Sequence, residues 1–133
     1  LLVSAFVSAQ PAPGSFKQTW KVGPDWLRNG VIYQVYPSSY KDSDGNGIGD
    51  IQGVISKLDY IESLGVSAIW FNPLFVSGWI DGGYDGIDFY RVDPRFGTNN
   101  DLVELIRKAH DKGIKVLYQR CTLKDDISYL LPT

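Results

Sequence analysis

The chain has 133 residues, 44% of them hydrophobic and 21% charged, which describes one globular domain and excludes a disordered, fibrous or two-domain protein. A net charge of −2 leaves no basic stripe for nucleic acid, and one cysteine with one histidine excludes both a disulfide framework and a zinc set. There is no methionine, so the encoded protein is expected to extend upstream of Leu1; the motifs below predict that it also extends downstream.

Residues 1–9 read Leu-Leu-Val-Ser-Ala-Phe-Val-Ser-Ala. This run is far shorter than the roughly 20 apolar residues a bilayer-spanning helix needs, and no membrane partner is expected. It resembles the end of a secretory signal, with Val7 and Ala9 before a cleavage point at Gln10; a plain N-terminal stub is the other reading. The signal reading predicts a secreted or periplasmic protein in which Cys121 is a free thiol in an oxidising compartment. Residues 10–24, with Pro11, Pro13 and Gly14, form a linker, 25–118 a folded domain, and 119–133 a separate tail.

Val31 to Tyr36 is β-branched and aromatic and stops at Pro37, which predicts a buried strand. Ile51, Val54, Ile55, Leu58, Ile61 and Leu64 recur at helical spacing, with Asp50 as the cap before them and Gly65 as the stop. Gly53 costs that first turn about 1 kcal/mol relative to alanine. Val66 to Phe71 is a second buried strand ended by Asn72-Pro73, and a long Gly- and Asp-rich loop is expected from there to Gly97. Thr98-Asn-Asn-Asp101 opens a second helix in a capping-box variant, with Leu102, Leu105, Ile106 and Ala109 as its apolar stripe and Gly113 as its end. Ile114 to Tyr118 is a third strand. Strand-helix-strand-helix-strand alternation predicts an α/β fold with parallel strands and helical crossovers. An open sheet and part of a closed barrel both fit, although three strands cannot close a barrel that takes at least about 200 residues.

The loop after the first strand, Asp42-Ser-Asp-Gly-Asn-Gly-Ile-Gly-Asp50, sets oxygen side chains at 42, 44, 46 and 50 with glycines between. Hard cations such as calcium take six to eight oxygens, and near-alternate positions on a tight loop converge on one point. A polar surface turn whose Asp50 only caps the helix is the other reading. Dockerin-type modules carry a similar run, usually in two copies. After the second strand, Asp81 and Tyr84 fall within four residues in Asp81-Gly-Gly-Tyr84-Asp85-Gly-Ile-Asp88. A carboxylate for hydroxyl groups and an aromatic face for ring C–H groups are the means by which sugars are held; solvated turn and core are the competing readings. His110 near a helix end fits dipole capping, and Asp125-Asp126 fits solvated charge because adjacent side chains diverge.

In combination, the run Trp26-Leu-Arg-Asn-Gly-Val-Ile-Tyr-Gln-Val-Tyr-Pro37, the Gly-Ile-Gly-Asp50 loop, Ala68-Ile-Trp-Phe-Asn-Pro73, Gly82-Gly-Tyr-Asp85, Asp93-Pro-Arg-Phe-Gly-Thr98 and Lys115-Val-Leu-Tyr118 resemble the alpha-amylase family of glycoside hydrolases. The likeness is strongest to its oligo-glucosidase, maltase and trehalose-synthase side. The resemblance implies the N-terminal βαβαβ part of a (β/α)8 TIM barrel that cleaves or transfers α-glucosidic bonds with retention, on α-glucoside oligosaccharides. It implies structural calcium held by Asp42, Asp44, Asn46, the carbonyl of Ile48, and Asp50. It also implies that Tyr84 stacks under the sugar next to the scissile bond while Asp81 orders the neighbouring hydroxyl network.

The tail departs from the family. Its third strand runs into Asp-x-x-x-Asn-His, and in register those residues fall on Gln119, Leu123 and Lys124. So abrupt a loss after Tyr118 suggests a changed reading frame or a misassembled end, which the other frames of the encoding DNA would reveal. The family takes its nucleophilic Asp, acid/base Glu and supporting Asp from strands 4, 5 and 7, so no catalytic residue is assigned in this chain, and it is expected to be inactive and marginally folded alone. A calcium- or carbohydrate-binding module with an amylase-like fold is the main alternative. A transporter-associated relative and an unrelated open α/β domain explain fewer of the motifs.

Overall fold

The computed structural model describes residues 23–118. The expected signal remnant, nearly all of the linker, and the tail with Gln119, Cys121, Leu123, Lys124 and Asp125-Asp126 lie outside the described residues. In chain order the elements are α1 (Asp25–Arg28), β1 (Ile32–Val35), α2 (Pro37–Tyr40), α3 (Ile51–Ile55), α4 (Leu58–Ser63), β2 (Ala68–Phe71), β3 (Phe75–Ser77), β4 (Gly86–Val92), α5 (Asn99–Asp111) and β5 (Lys115–Tyr118).

The predicted parallel sheet is present, in the order β1-β2-β5. Ile32 lies beside Ala68, and Ala68 beside Lys115; Val35 lies beside Phe71, and Phe71 beside Tyr118. Side chains alternate across a strand, so Val35, Ile69, Phe71 and Val116 share one core with Ile51, Val54, Leu58 and Ile61 of the first crossover and Leu102, Leu105 and Ala109 of the second. Each Val, Leu, Ile or Phe side chain among them contributes about 1.5–3 kcal/mol of transfer free energy when fully buried. On the opposite face Ile32, Tyr36 and Trp70 are each close to 40% exposed and Gln34 is exposed with them, while the small Ala68 beside Ile32 is buried.

Two expectations are corrected. β1 is not a buried strand: it has a single neighbour among the described residues, Val35 is its one buried residue, and Val31 before it is 59% exposed. The third strand is covered on one side, with Ile114 and Val116 buried against the core that includes α5. The single helix over 51–64 is two. Ser56 Oγ donates to the Gly53 carbonyl at 2.6 Å and Lys57 N bonds Val54 O at 2.9 Å, a tightened turn in which a hydroxyl competes for helix carbonyls. The apolar stripe survives the break through Val54, Leu58 and Ile61, but Leu64 beyond it is exposed.

The expected loop from Asn72 to Gly97 contains an antiparallel hairpin. β3 pairs with β4 through Phe75–Val92, Val76–Asp88 and Ser77–Gly86, with register shifts between successive pairs. Bulges of this kind break the two-residue alternation by which a strand is recognised in sequence. Leu74, Val92 and Phe96 anchor the insertion in the core. No described helix is long and apolar enough to cross a membrane.

Both helix starts follow the sequence. Asp50 accepts the Gly53 amide at 2.6 Å, and Thr98 and Asp101 form a reciprocal capping box at α5. Gln52 donates to Asp101 at 2.8 Å and to Glu104 at 3.0 Å, joining α3 to α5. Gly53 is explained by proximity: a Cβ there would stand 1.9 Å from the Lys41 carbonyl oxygen. Gly53→Ala should therefore lower stability by about 1–3 kcal/mol despite alanine's better helix propensity, read as a fall in the urea midpoint. Hydrogen bonds from the Thr98 and Gln52 side chains hold the Asp101 carboxyl below its ordinary range. Its contribution is complete above the unfolded value of about 3.9 and is lost as pH falls through the folded value. Asp101→Asn should give a shallower acid limb in unfolding midpoint against pH.

Candidate functional site

The loop between α2 and α3 is shaped by its own carboxylates. Asp42 accepts the amides of Asp44 (3.1 Å), Gly45 (2.7 Å) and Gly47 (2.8 Å). Asp44 accepts Asn46 N at 3.0 Å, and Asn46 Oδ1 accepts Ile48 N at 2.8 Å. The turn requires left-handed backbone at Gly45 (φ 83°) and Gly47 (φ 90°). Asp50 closes the loop by accepting both the amide and the hydroxyl of Ser43 at 2.9 Å.

Carboxylate oxygens of Asp42, Asp44 and Asp50 lie within 4.8 Å of one another. Oxygens about 2.4 Å from a common cation are at most about 4.8 Å apart, so this donor set fits a hard cation, and Asn46 and the Ile48 carbonyl lie on the same loop. The Gly47 and Gly45 amides hold the Asp42 carboxyl below its ordinary range. Burial opposes ionisation of Asp50, but the Ser43 and Gly53 amides and the Ser43 hydroxyl outweigh it, so its carboxyl is also lowered. Both groups are thus held ionised, the form a cation requires.

The second cluster lies past the carboxyl ends of the parallel strands, where barrel active sites are built. Asp81 Oδ1 accepts the Asp85 amide at 2.8 Å, and Asp85 Oδ2 accepts the Ile80 amide at 3.2 Å, which draws residues 80–85 into a tight turn. Gly82 (φ 75°) and Gly83 (φ 103°) supply its left-handed backbone. Asp81 is exposed and Tyr84 half-buried. The Tyr84 hydroxyl accepts from Asn72 Nδ2 at 3.0 Å, and Asn72 Oδ1 accepts from Gln34 Nε2 at 2.9 Å. Asp81 and Tyr84 thus share one turn, while the hydrogen bond described for each goes to a different partner. His110 is exposed in the last turn of α5 and away from both clusters' contacts.

Sequence reasoning missed several residues that build this region. Asn72 was read only as a strand terminator, and Gln34 only as part of an apolar strand, although a lone amide among Val, Ile and Tyr is itself a signal. Trp79 has φ 58°, uncommon for a bulky residue. Its indole N–H donates to Asp93 Oδ2 at 2.9 Å, its ring meets Phe96 edge-on at 5.6 Å, and the Arg95 guanidinium lies 4.2 Å over it. No local pattern announces that conformation, because it depends on partners 14 to 17 residues away.

The described architecture and motifs find matches among known proteins. The family described as alpha amylase, catalytic domain, matches residues 34–121. Trehalose-6-phosphate hydrolase of Escherichia coli (strain K12) is 48% identical over 94 residues, covering 71% of this chain and 17% of the relative. Oligo-1,6-glucosidase of Heyndrickxia coagulans is 44% identical over 93 residues, covering 70% and 17%. The crystal structure of Bacillus licheniformis trehalose-6-phosphate hydrolase superposes with a TM-score of 0.70 at 46% identity, covering 71% of this chain and 17% of that one. The chain therefore spans about a sixth of the length of these relatives, in their N-terminal part, and its three parallel strands correspond to part of a TIM barrel. By the match through residues 34–121 and the shared fold, this chain belongs to the alpha-amylase family.

Proposed function

We propose that the chain supplies the opening βα units of a retaining glycosidase or transglycosylase domain acting on α-glucosidic bonds, with α-glucoside oligosaccharides as substrates of the whole protein. The observation that carries this reading is the position of Asp81 and Tyr84, in a turn beyond the carboxyl ends of the parallel strands and tied to β1 and β2 through Asn72 and Gln34. A carboxylate has about four lone-pair sites, so Asp81 can accept a sugar hydroxyl beside the Asp85 amide. The half-buried Tyr84 offers a ring to the apolar side of a sugar.

Retention requires two carboxylates about 5–5.5 Å apart, one as nucleophile and one as acid/base. Family members take them from later strands, and Asp81 belongs to sugar binding in this reading. The 133-residue chain by itself then binds without cleaving. In the whole protein the 42–50 loop holds structural calcium through Asp42, Asp44, Asn46, the Ile48 carbonyl and Asp50, and the N-terminal residues direct the protein to a secreted or periplasmic location. A calcium- or carbohydrate-binding module with an amylase-like fold is the second reading, supported by the convergence of three carboxylates inside this chain alone.

Purified chain incubated with maltose, isomaltose, trehalose or nitrophenyl α-glucoside should release no product above buffer; turnover of any of them would overturn the division of labour proposed here. Calcium at a hundredfold excess over its dissociation constant should raise unfolding free energy by about 2.7 kcal/mol. Asp44→Asn should reduce that gain, measured as the shift in denaturation midpoint with and without chelator.

A further inference from the structure

We infer that Trp79 is a positioning residue, pinned by Asp93, that sets where the Asp81 carboxylate is presented to a sugar ligand. The inference rests on the α-glucoside reading above and adds two residues to it. Residues 78–85 join β3 to β4 and lie outside every strand, so ladder pairing does not fix Asp81. Its carboxylate is held within the turn: Asp81 Oδ1 accepts the Asp85 amide, and Asp85 Oδ2 accepts the Ile80 amide. Those two bonds give the turn a shape, but neither ties it to the core. Ile80, between Trp79 and Asp81, is 90% exposed and offers no anchor.

Trp79 supplies the anchor. Its φ of 58° is a conformation that a bulky residue keeps only where its surroundings over-determine it. Its indole N–H donates to Asp93, its ring meets Phe96 edge-on, and the Arg95 guanidinium covers it. The same ring reaches the far side of the turn, since a Cβ at the buried Gly83 would stand 3.7 Å from Trp79 Cη2. Asp93 is a rigid post. It is 4% exposed, its amide donates to Leu74 O at 2.8 Å, and its Oδ1 accepts the Arg95 amide at 3.0 Å. One indole thus holds the turn at Trp79 and at Gly83, with Asp81 between them. Glycine at position 79 would adopt the same φ without strain but would leave the turn unpinned. The strained tryptophan gives what a binding carboxylate needs, a supporting side chain that is itself locked by packing and hydrogen bonds.

The test uses the full 133-residue chain and methyl α-glucoside, followed by nuclear magnetic resonance. The bonds described for Asp93 go to Leu74, Trp79, Arg95 and Phe96, so a change at Asp93 reaches the turn through Trp79. Asp93→Asn keeps the shape but leaves one carbonyl oxygen for two donors. Without sugar, it should shift the backbone amide of Asp85, the donor to Asp81; an unmoved Asp85 amide overturns the inference. With sugar, Asp93→Asn should weaken binding about fivefold, the loss of one net hydrogen bond, and should add nothing in an Asp81→Ala background. Equal losses in the two backgrounds are what a merely structural role gives, and they overturn the positioning role. Trp79→Phe keeps a ring and loses the N–H. It should reproduce both results, and full affinity in that variant overturns the inference even where Asp93→Asn does not fold. If the Asp85 amide responds but the unaltered chain binds no glucoside, the α-glucoside reading is overturned and the sugar role of Trp79 falls with it; a chain that binds glucoside while the Asp85 amide stays unmoved overturns the positioning role alone.

Discussion

Parallel pairing imposes the arrangement on which everything else depends. Two parallel neighbours cannot be joined by a tight hairpin, so the chain must return across a face of the sheet after β1 and again after β2. Those returns, α3 with α4 and then α5, both pack on the side of Val35, Ile69, Phe71 and Val116. The same constraint sends every strand's carboxyl end in one direction. Asn72 and the turn carrying Asp81 and Tyr84 therefore collect at one edge, while the loop carrying Asp42, Asp44 and Asp50 leads into the first return.

Asp50 joins two of these layers. One carboxylate oxygen takes both donors of Ser43 and the other takes the Gly53 amide, so the group that closes the acidic loop also begins α3. Gly53 reinforces the junction from the other side, since the Lys41 carbonyl occupies the space a methyl group would need. A sequence reader sees an unfavourable glycine in a helix; the packing shows a helix pressed against the loop before it.

What was legible in the sequence was whatever repeats at short range. The stripes Val54-Leu58-Ile61 and Leu102-Leu105-Ala109, the Thr98–Asp101 box and the existence of three β-branched strands all follow local sequence, and they appear as read, whereas the burial expected of the first strand does not. The resemblance to the alpha-amylase family, read from ordered motifs, agrees with the match through residues 34–121. The hairpin was hidden because its register shifts break alternation. The helix break was hidden because the apolar stripe continues across it. Of the candidate site, the residue types in each loop were legible, whereas the roles of Gln34, Asn72 and Trp79 arise from contacts across strands or around a turn. The ligands assigned to the two loops rest on chemistry and resemblance, with the convergence of Asp42, Asp44 and Asp50 as the geometric support.

Trp79 illustrates how such contacts narrow what a position can become. Its left-handed backbone favours glycine, but glycine would forfeit the donor to Asp93, the edge against Phe96 and the surface beneath Arg95. Phenylalanine would keep a ring and lose the N–H; histidine would keep a donor on a smaller ring. Two opposing demands, one from the main chain and one from the side chain, leave this site few neutral routes of sequence drift, and compensating change would have to begin at residues 93 to 96 rather than at 79 itself.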